Sequence, residues 1–308
     1  MLNSSRNCSS EFQKKLLPPM YGVEFCIGFL GNVFALVLLL TKERQNWHPG
    51  VVFSCNLIIS DLLYVLTLPL LITYYSNNKN WTFGVAACKI ERFLFTCNLY
   101  VSIFFILCIS VNRYIAIVHP LFTHSYVRPK HAKITSVLVW VIVAIISSPI
   151  LKYASTQLRE EKNTTLCVSK SKGAEIELSH FNYRLSLTVL GFLIPLVLTF
   201  ASYIGLIRVV FKNAKIRSQQ KRKVALLVGS VCTLYALSFI PYHILQTYHY
   251  SLKKRTCLQY NAYQVTKGLA TLNMCIHPLL YMAVFDSIRM VCCGKSSETY
   301  SETCSERI

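Results

Sequence analysis

The sequence predicts an all-α membrane protein, a bundle of seven transmembrane helices with the N-terminus extracellular and the C-terminus cytoplasmic. Of its 308 residues, 53% are hydrophobic and 15% are charged, and the mean hydropathy is +0.43, which is typical of multi-pass membrane proteins. Seven apolar stretches are long enough, at about 18 residues or more, to cross a bilayer as helices. We call them spans one to seven, and they lie near residues 20–41, 51–75, 87–118, 134–151, 184–211, 223–250 and 259–285.

The spans divide the chain into three parts. We expect a short flexible extracellular tail at 1–19, the seven-transmembrane domain at 20–285 and a short cytoplasmic tail at 286–308. The chain start lacks the pattern of a removable signal peptide. The sequence shows no inverted repeats with paired interrupted helices, which argues against a transporter. It shows no nucleophile–base pair or metal cluster of catalytic spacing, which argues against an enzyme.

Sequons and basic residues predict the orientation of the bundle. Four Asn-x-Ser/Thr sequons lie on the N-terminal side of the membrane, at Asn3, Asn7, Asn80 and Asn163. We expect glycosylation at Asn3, Asn7 and Asn163, whereas Asn80 lies close to the bilayer and the sequence leaves its glycosylation open. On the other side, residues 128–133 and 208–223 carry Arg and Lys and no acid. This agrees with the positive-inside rule.

The cysteines follow the same division. Four of the 13 lie in the predicted outer segments: Cys8, Cys88, Cys167 and Cys257. Those segments are in an oxidising compartment, but four cysteines allow three pairings and their spacing does not choose between them. Cys292 and Cys293, just after span seven, are candidates for palmitoylation, with two free cytosolic thiols as the alternative.

Span two carries Asp61 near the middle of the membrane, where a carboxylate is costly and usually functional. Asn98, Ser102 and Asn273 could complete an oxygen shell around a cation there. The sequence therefore favours equally a sodium site and a structural hydrogen-bond hub that includes Asn32.

Five spans contain prolines, which predict kinks and loosened hydrogen bonds: Pro69, Pro149, Pro195, Pro241 and Pro278.

The net charge of +19 is shared between the two sides of the membrane. The basic residues of the outer segments include Lys14, Lys15, Lys79, Lys170, Lys172, Lys253, Lys254 and Arg255. A basic outer mouth attracts anions. Because the basic residues are split across the membrane, nucleic acid is not an expected partner.

Span three connects the two sides. It runs from Cys88 past Arg92 to Arg113, and at about 1.5 Å per residue this helix is longer than the hydrocarbon core, which is about 30 Å thick.

Motifs through all seven spans resemble the signature of rhodopsin-like G-protein-coupled receptors. They are Gly31-Asn32, Asp61, Cys88, Asn112-Arg113-Tyr114, Trp140, Pro195, Phe239-x-Pro241 and Pro278-x-x-Tyr281. The resemblance implies a Cys88–Cys167 disulfide. It also implies that Asn112, Arg113, Tyr114 and Tyr281 work at the face that contacts a heterotrimeric G protein. Two residues depart from the pattern: Asn112 replaces an acid, and His277 replaces the usual Asn or Asp, which weakens the sodium interpretation.

A narrower set of residues resembles the metabotropic purinergic nucleotide receptors, the P-two-Y group. The set is Arg92, Tyr242-His243 and Tyr263-Gln264-x-x-Lys267. Five strings are most similar to an ATP-preferring subtype: WHPGVVFS (47–54), SDLLYVLTLP (60–69), CKIERFLFTCNL (88–99), IVHPLFTHSYVRPKHA (117–132) and CIHPLLYMA (275–283). The resemblance implies a plasma-membrane receptor for extracellular ATP with calcium or cyclic AMP signalling. It also implies a second disulfide, Cys8–Cys257.

The predicted ligand-binding residues suit a nucleotide. Arg92 and Lys267 would bind phosphates, and His243 could donate a hydrogen bond. Aromatic rings would frame the base and ribose, from Phe95, Tyr100, Tyr242 and Tyr263. The alternatives are basic side chains that reach to the interface and a packed, neutral histidine.

Gln246 departs from the purinergic pattern, which usually has Arg or Lys at this position. Basic residues of the outer loops are candidates to compensate: Lys170, Lys172, Lys253, Lys254 and Arg255. Gln246 also favours an alternative function, in which the same fold responds to another anion such as a dicarboxylate or an acidic lipid mediator.

For signalling, we expect the ligand to favour an outward displacement of span six on its Pro241 kink, which opens a cytoplasmic cleft. The tail has six candidate phosphorylation sites for kinases and arrestin, although a polar disordered tail has the same composition: Ser296, Ser297, Thr299, Ser301, Thr303 and Ser305.

Overall fold

The computed structural model describes residues 2–42, 47–126, 128–160, 163–169, 174–214, 216, 218–251 and 256–284. Its helices are α1 (Leu2–Lys42), α2 (Pro49–Val65), α3 (Leu68–Ser76), α4 (Gly84–Val118), α5 (Pro120–Tyr126), α6 (Pro129–Ser147), α7 (Ile150–Tyr153), α8 (Ala174–Ser186), α9 (Ile194–Lys212), α10 (Ser218–Leu234), α11 (Ile240–Ser251), α12 (Cys257–Thr271) and α13 (Asn273–Val284). Two π-helical turns, Leu187–Leu193 and Tyr235–Phe239, join α8 to α9 and α10 to α11. The strands are β1 (Ala154–Arg159) and β2 (Thr164–Ser169).

Within the described residues, six continuous helical stretches are long and apolar enough to cross a membrane. They are Glu11–Thr41, Pro49–Ser76, Gly84–Val118, Pro129–Tyr153, Glu177–Lys212 and Lys221–Ser251. They match spans one to six. Span seven is helical as well, but a turn at Leu272 divides it into α12 and α13.

The first helix includes most of the segment that was predicted to be a flexible tail. α1 begins at Leu2 and continues through Pro18 and Pro19. Contacts with span seven hold it: Leu17 is fully buried, and Gln13 Nε2 donates to Asn261 Oδ1 at 2.8 Å. This packing offsets the backbone hydrogen bonds that two prolines cannot donate. The side chains of Asn3, Asn7 and Cys8 lie outside the described residues, so their glycosylation and the Cys8–Cys257 bond stay predictions.

Prolines interrupt the regular helix geometry in four spans, as predicted. Each π-helical turn ends just before a proline, Pro195 or Pro241, whose ring nitrogen cannot donate a hydrogen bond. The breaks between α2 and α3 and between α6 and α7 adjoin Pro69 and Pro149. In contrast, α13 continues through Pro278.

An antiparallel hairpin of β1 and β2 is the exception to the predicted all-α fold. Cys167 on β2 forms a disulfide with Cys88 at the start of α4, which confirms the pairing that the resemblance implied. The N–H of Trp81 also donates to Thr165 O on β2 at 2.7 Å. These links fix the hairpin over one end of the bundle, which we call the hairpin end.

The two sequons beside the hairpin differ in their surroundings. Asn163 is exposed in the β1–β2 turn with a φ of 44°, a left-handed conformation that asparagine tolerates. The Asn80 side chain instead accepts a hydrogen bond from the N–H of Thr165 at 2.9 Å.

Span three lies at the centre of the bundle, where α4 packs against α2, α6 and α9. Its Ile103 and Phe105 are fully buried. In contrast, spans four and five expose large apolar side chains such as Ile145 and Val197, each 65% accessible. A bilayer covers such outward-facing apolar surface, whereas a monomeric soluble protein rarely exposes so much of it.

Candidate functional site

A cavity of 780 Å³ lies beneath the hairpin, between α3, α4, α8, α11 and α12. This volume is in the usual range for small-molecule sites, about 300–1,000 Å³. Five of the eight predicted ligand-binding residues line it: Arg92, Phe95, Tyr242, Tyr263 and Lys267. The other three, Tyr100, His243 and Gln246, are buried outside the lining.

Three charged side chains form a cluster at the cavity, where Arg92 and Lys267 line the wall and Glu91 lies beside them. Glu91 is fully buried, and its carboxylate lies 3.3 Å from Arg92 Nη1 and 3.8 Å from Lys267 Nζ. Arg92 also donates to the Cys167 carbonyl at 3.1 Å, which holds it under the hairpin. The Arg92 and Lys267 side chains are only 13% and 6% exposed, so they do not extend to a membrane interface. One carboxylate therefore balances two cations.

The charged cluster adjoins an aromatic wall. Lys267 Nζ lies 4.7 Å from the centre of the Phe95 ring, a cation–π contact. Phe95 meets Tyr242 edge-on at 5.6 Å, and Tyr242 stacks with Tyr263 at 6.3 Å. Tyr263 in turn stacks on His249 at 4.4 Å. A ligand in this cavity would have cations on one side and ring faces beside them.

His243 lies behind this wall. Its ring stacks on Phe192 with centroids 4.0 Å apart, and its Nδ1 lies 2.8 Å from the Phe239 carbonyl. Its Nε2 lies 3.4 Å from the Tyr100 hydroxyl. The side chain is thus packed and satisfied, as in the structural alternative considered from the sequence.

Gln246 is fully buried one turn beyond His243. Neither amide atom of Gln246 has a hydrogen-bond partner among the described residues. The loop lysines and Arg255, proposed from the sequence as compensating cations, lie outside those residues.

Arg184 of α8 is a cation of the cavity wall that the sequence analysis missed. The residue is 5% exposed, and its Nε donates to His180 Nε2 at 3.3 Å. Its guanidinium carbon lies 5.5 Å from the Tyr250 ring centre and 5.8 Å from that of Tyr183. The available signal was one arginine at the start of an apolar span.

Comparison with known proteins decides the family. The description "7 transmembrane receptor (rhodopsin family)" matches residues 31–281. The chain belongs to the rhodopsin family of receptors. It is 38% identical over 320 residues to P-two-Y purinoceptor 11 of Homo sapiens, covering 96% of this chain and 85% of that protein. It is 41% identical over 289 residues to P-two-Y purinoceptor 1 of Cavia porcellus, covering 90% and 76%.

The human form of purinoceptor 1 (Homo sapiens) is 40% identical over 302 residues, covering 94% of this chain and 80% of that protein. The predicted resemblance to the purinergic group is therefore confirmed. This family membership identifies the protein as a multi-pass membrane receptor and not an enzyme.

The receptor's intramembrane polar cluster is centred on Asp61. The Asp61 Oδ2 atom lies 2.6 Å from His277 Nδ1, and Oδ1 accepts from Asn98 Nδ2 at 2.9 Å. Both carboxylate oxygens are engaged, and Asn98 presents its nitrogen and not its oxygen. A cation at Asp61 would have to share the carboxylate with the imidazole and would meet the nitrogen of Asn98 in place of its oxygen, so this arrangement does not fit the oxygen shell expected around a sodium ion.

Three further predicted members of that cluster, Asn273, Ser102 and Asn32, make other bonds. Asn273 Nδ2 donates to Ser102 Oγ at 3.4 Å. Asn32 donates to the carbonyls of Met274 and Gly28 and joins spans one and seven, so no bond links it to Asp61.

The residues predicted to contact a G protein lie at the end of the receptor opposite the hairpin. Asn112, Arg113 and Tyr114 belong to the last two turns of α4 and are half-buried. Tyr281, near the end of α13, is fully buried, and its hydroxyl has no hydrogen-bond partner among the described residues. The palmitoylation candidates Cys292 and Cys293 and the tail phosphorylation sites lie outside the described residues.

Proposed function

We propose that this receptor binds an extracellular nucleotide, with ATP as the first candidate, in the cavity at the hairpin end. It then signals through a heterotrimeric G protein to calcium, cyclic AMP or both. The observation that supports this most is the convergence of Arg92 and Lys267 on a cavity with aromatic walls. The relatives reported above are named purinoceptors, which supports a purine ligand.

The chemistry of the cavity agrees with this proposal. Charge-assisted hydrogen bonds from Arg and Lys are the strong contacts for phosphate oxygens. The rings of Phe95, Tyr242 and Tyr263 offer faces and edges on which a planar base could stack. Gln264 lines the same cavity and accepts a hydrogen bond from Tyr75 at 3.2 Å, so it could also meet polar groups of a base or ribose.

The proposed orientation places the hairpin end outside the cell at the plasma membrane. The Cys88–Cys167 disulfide, which needs an oxidising compartment, and the Asn163 sequon are both at this end. Basic residues at 128–133 and 208–223 adjoin the opposite ends of the helices.

Signalling in this proposal depends on the mobility of span six. In the structure α10 packs against α13 and α9. The π-helical turn before Pro241 weakens the regular hydrogen bonding between α10 and the cavity-lining α11. A ligand with higher affinity for the open arrangement would shift the population toward it and expose Arg113 and Tyr281. Kinases and arrestin would act later at the tail.

No metal cofactor enters the proposal, because the Asp61 carboxylate is hydrogen-bonded to His277 and Asn98.

A second ligand class stays under consideration because Gln246 supplies no charge on span six. With fewer cations, the same cavity could bind a dicarboxylate or an acidic lipid mediator.

The direct test measures intracellular calcium and cyclic AMP in cells that express the receptor, after addition of ATP, ADP, UTP or succinate. We expect a response to ATP that Arg92→Ala and Lys267→Ala each reduce by at least about tenfold in potency, since each removes a charge-assisted contact. Lys89→Ala is the control, because Lys89 lies on α4 outside the cavity lining. A receptor that reaches the cell surface but responds only to succinate would contradict the nucleotide assignment.

A further inference from the structure

The cavity contains a buried cation whose charge no carboxylate of the described residues balances. Arg92 and Lys267 share Glu91, but Arg184 has no ion pair within that part of the chain. Its described polar partner is the neutral ring nitrogen of His180, and its other contacts are the faces of Tyr183 and Tyr250.

Such an arrangement is unfavourable in the absence of a ligand. A buried charge without a counter-charge carries a desolvation cost of several kcal/mol, and proteins usually pair such groups. The rings of Tyr183 and Tyr250 offset only part of this desolvation cost, because a cation–π contact contributes about 0.5–2 kcal/mol. The terminal nitrogens of Arg184 can donate further hydrogen bonds, for which the described residues provide no acceptor. An anion in the cavity would supply it.

The position of Arg184 relates it to Gln246. α8 packs against α11, and the guanidinium of Arg184 covers the ring of Tyr250, four residues after Gln246. One turn along, Thr188 and Thr247 hydroxyls lie 3.4 Å apart and join the same two spans. The cation that the purinergic pattern places on span six is therefore absent, while an arginine on span five faces the cavity beside that helix.

We propose that Arg184 binds the anionic group of the ligand and replaces the cation that is absent at Gln246. This inference rests on the proposed function to the extent that the cavity binds an anion, and it names a residue of span five that supplies positive charge to the cavity beside Arg92 and Lys267. Glu91 offsets one of the charges of Arg92 and Lys267, so Arg184 raises the net charge of these four residues from +1 to +2.

The test measures thermal unfolding of the purified full-length receptor against increasing ATP or inorganic triphosphate, with a chelator to remove divalent cations. Dissociation constants follow from the ligand dependence of the unfolding temperature. Arg184→Met removes the charge and keeps most of the side-chain volume. We expect it to raise the dissociation constants for both probes by about 10- to 100-fold. Lys89→Met, outside the cavity lining, should change them by less than about twofold.

A variant that moves the positive charge from position 184 to position 246 distinguishes a ligand-binding role of Arg184 from a structural one. The double variant Arg184→Met, Gln246→Arg returns a cation to span six and should regain most of the lost affinity. A structural arginine would not be rescued from another helix. If R184M does not yield folded receptor, Arg184→Gln replaces it, with the same expected loss and the same rescue.

The outcomes distinguish this inference from the proposed function. ATP affinity that is unchanged in R184M would overturn the role of Arg184 and leave the nucleotide receptor standing. Triphosphate binding that depends on Arg184, with ATP binding no tighter, would support the anion site and contradict the nucleotide. A receptor that neither ATP, triphosphate nor succinate stabilises would overturn both.

Discussion

Replacement of Glu91 by glutamine should weaken the empty receptor and tighten ATP binding. Glu91→Gln keeps the shape of the side chain and removes the carboxylate that Arg92 and Lys267 share at 3.3 Å and 3.8 Å. With an effective dielectric constant of about 20, these separations correspond to attractions of about 5 and about 4 kcal/mol. Loss of one member of a buried ionic cluster typically costs about 3–5 kcal/mol, because the remaining charges stay buried.

ATP should recover part of this loss. Its phosphates would replace the missing carboxylate beside Arg92 and Lys267, so the ATP-bound form of E91Q loses less stability than the empty form. If the phosphates recover about 2 kcal/mol, the ATP dissociation constant falls about 30-fold. Thermal unfolding of the purified receptor with and without ATP measures both effects.

The matched control is Glu177→Gln, which removes an exposed carboxylate from α8. It should change neither the unfolding temperature of the empty receptor nor the ATP-dependent shift, because exposed charges contribute little. An E91Q receptor as stable as the unsubstituted protein, with the same ATP-dependent shift, would refute the idea that Glu91 competes with the ligand for the two cations.

Two further predictions concern the rest of the bundle. The ATP response should not change when sodium in the medium is replaced by choline, because His277 already bonds to the Asp61 carboxylate. The variant His277→Asn removes this bond and should make the ATP response depend on sodium. A sodium effect on the unsubstituted receptor would contradict the prediction. Gly205→Ala should reduce agonist-driven nucleotide exchange on the G protein, because the added methyl carbon would lie 2.5 Å from the Tyr114 ring and force it to move. Gly229→Ala meets no atom within 4 Å and is the control, and equal exchange by the two variants would count against a role for the Tyr114 position.

The positions of the spans could be predicted from local features of the sequence alone. A membrane-crossing helix needs about 20 apolar residues, and this requirement can be seen along the chain without knowledge of its partners. The first helix was predicted too short, because the polar stretch before Pro18 and Pro19 has no apolar signal. Its helical form depends on contacts such as Gln13 with Asn261, 248 residues away.

The candidate site was predicted in part. Arg92 and Lys267 were found through motif resemblance, and the structure brings them to one carboxylate. His243 was predicted by the same resemblance, but its ring is packed on Phe192 behind the cavity wall. Arg184 was missed because it belongs to no recognised motif.

Composition and motif order thus determine that this chain is a seven-span receptor with a basic, disulfide-linked end. Only the tertiary structure shows that Glu91 forms ion pairs with both Arg92 and Lys267 and that Arg184 lines the cavity. It alone also shows the bond between His277 and Asp61. The physical reason is that bilayer thickness acts on each segment separately. In contrast, the rotation of each helix about its axis, and hence which charges meet, depends on packing against all of its neighbours.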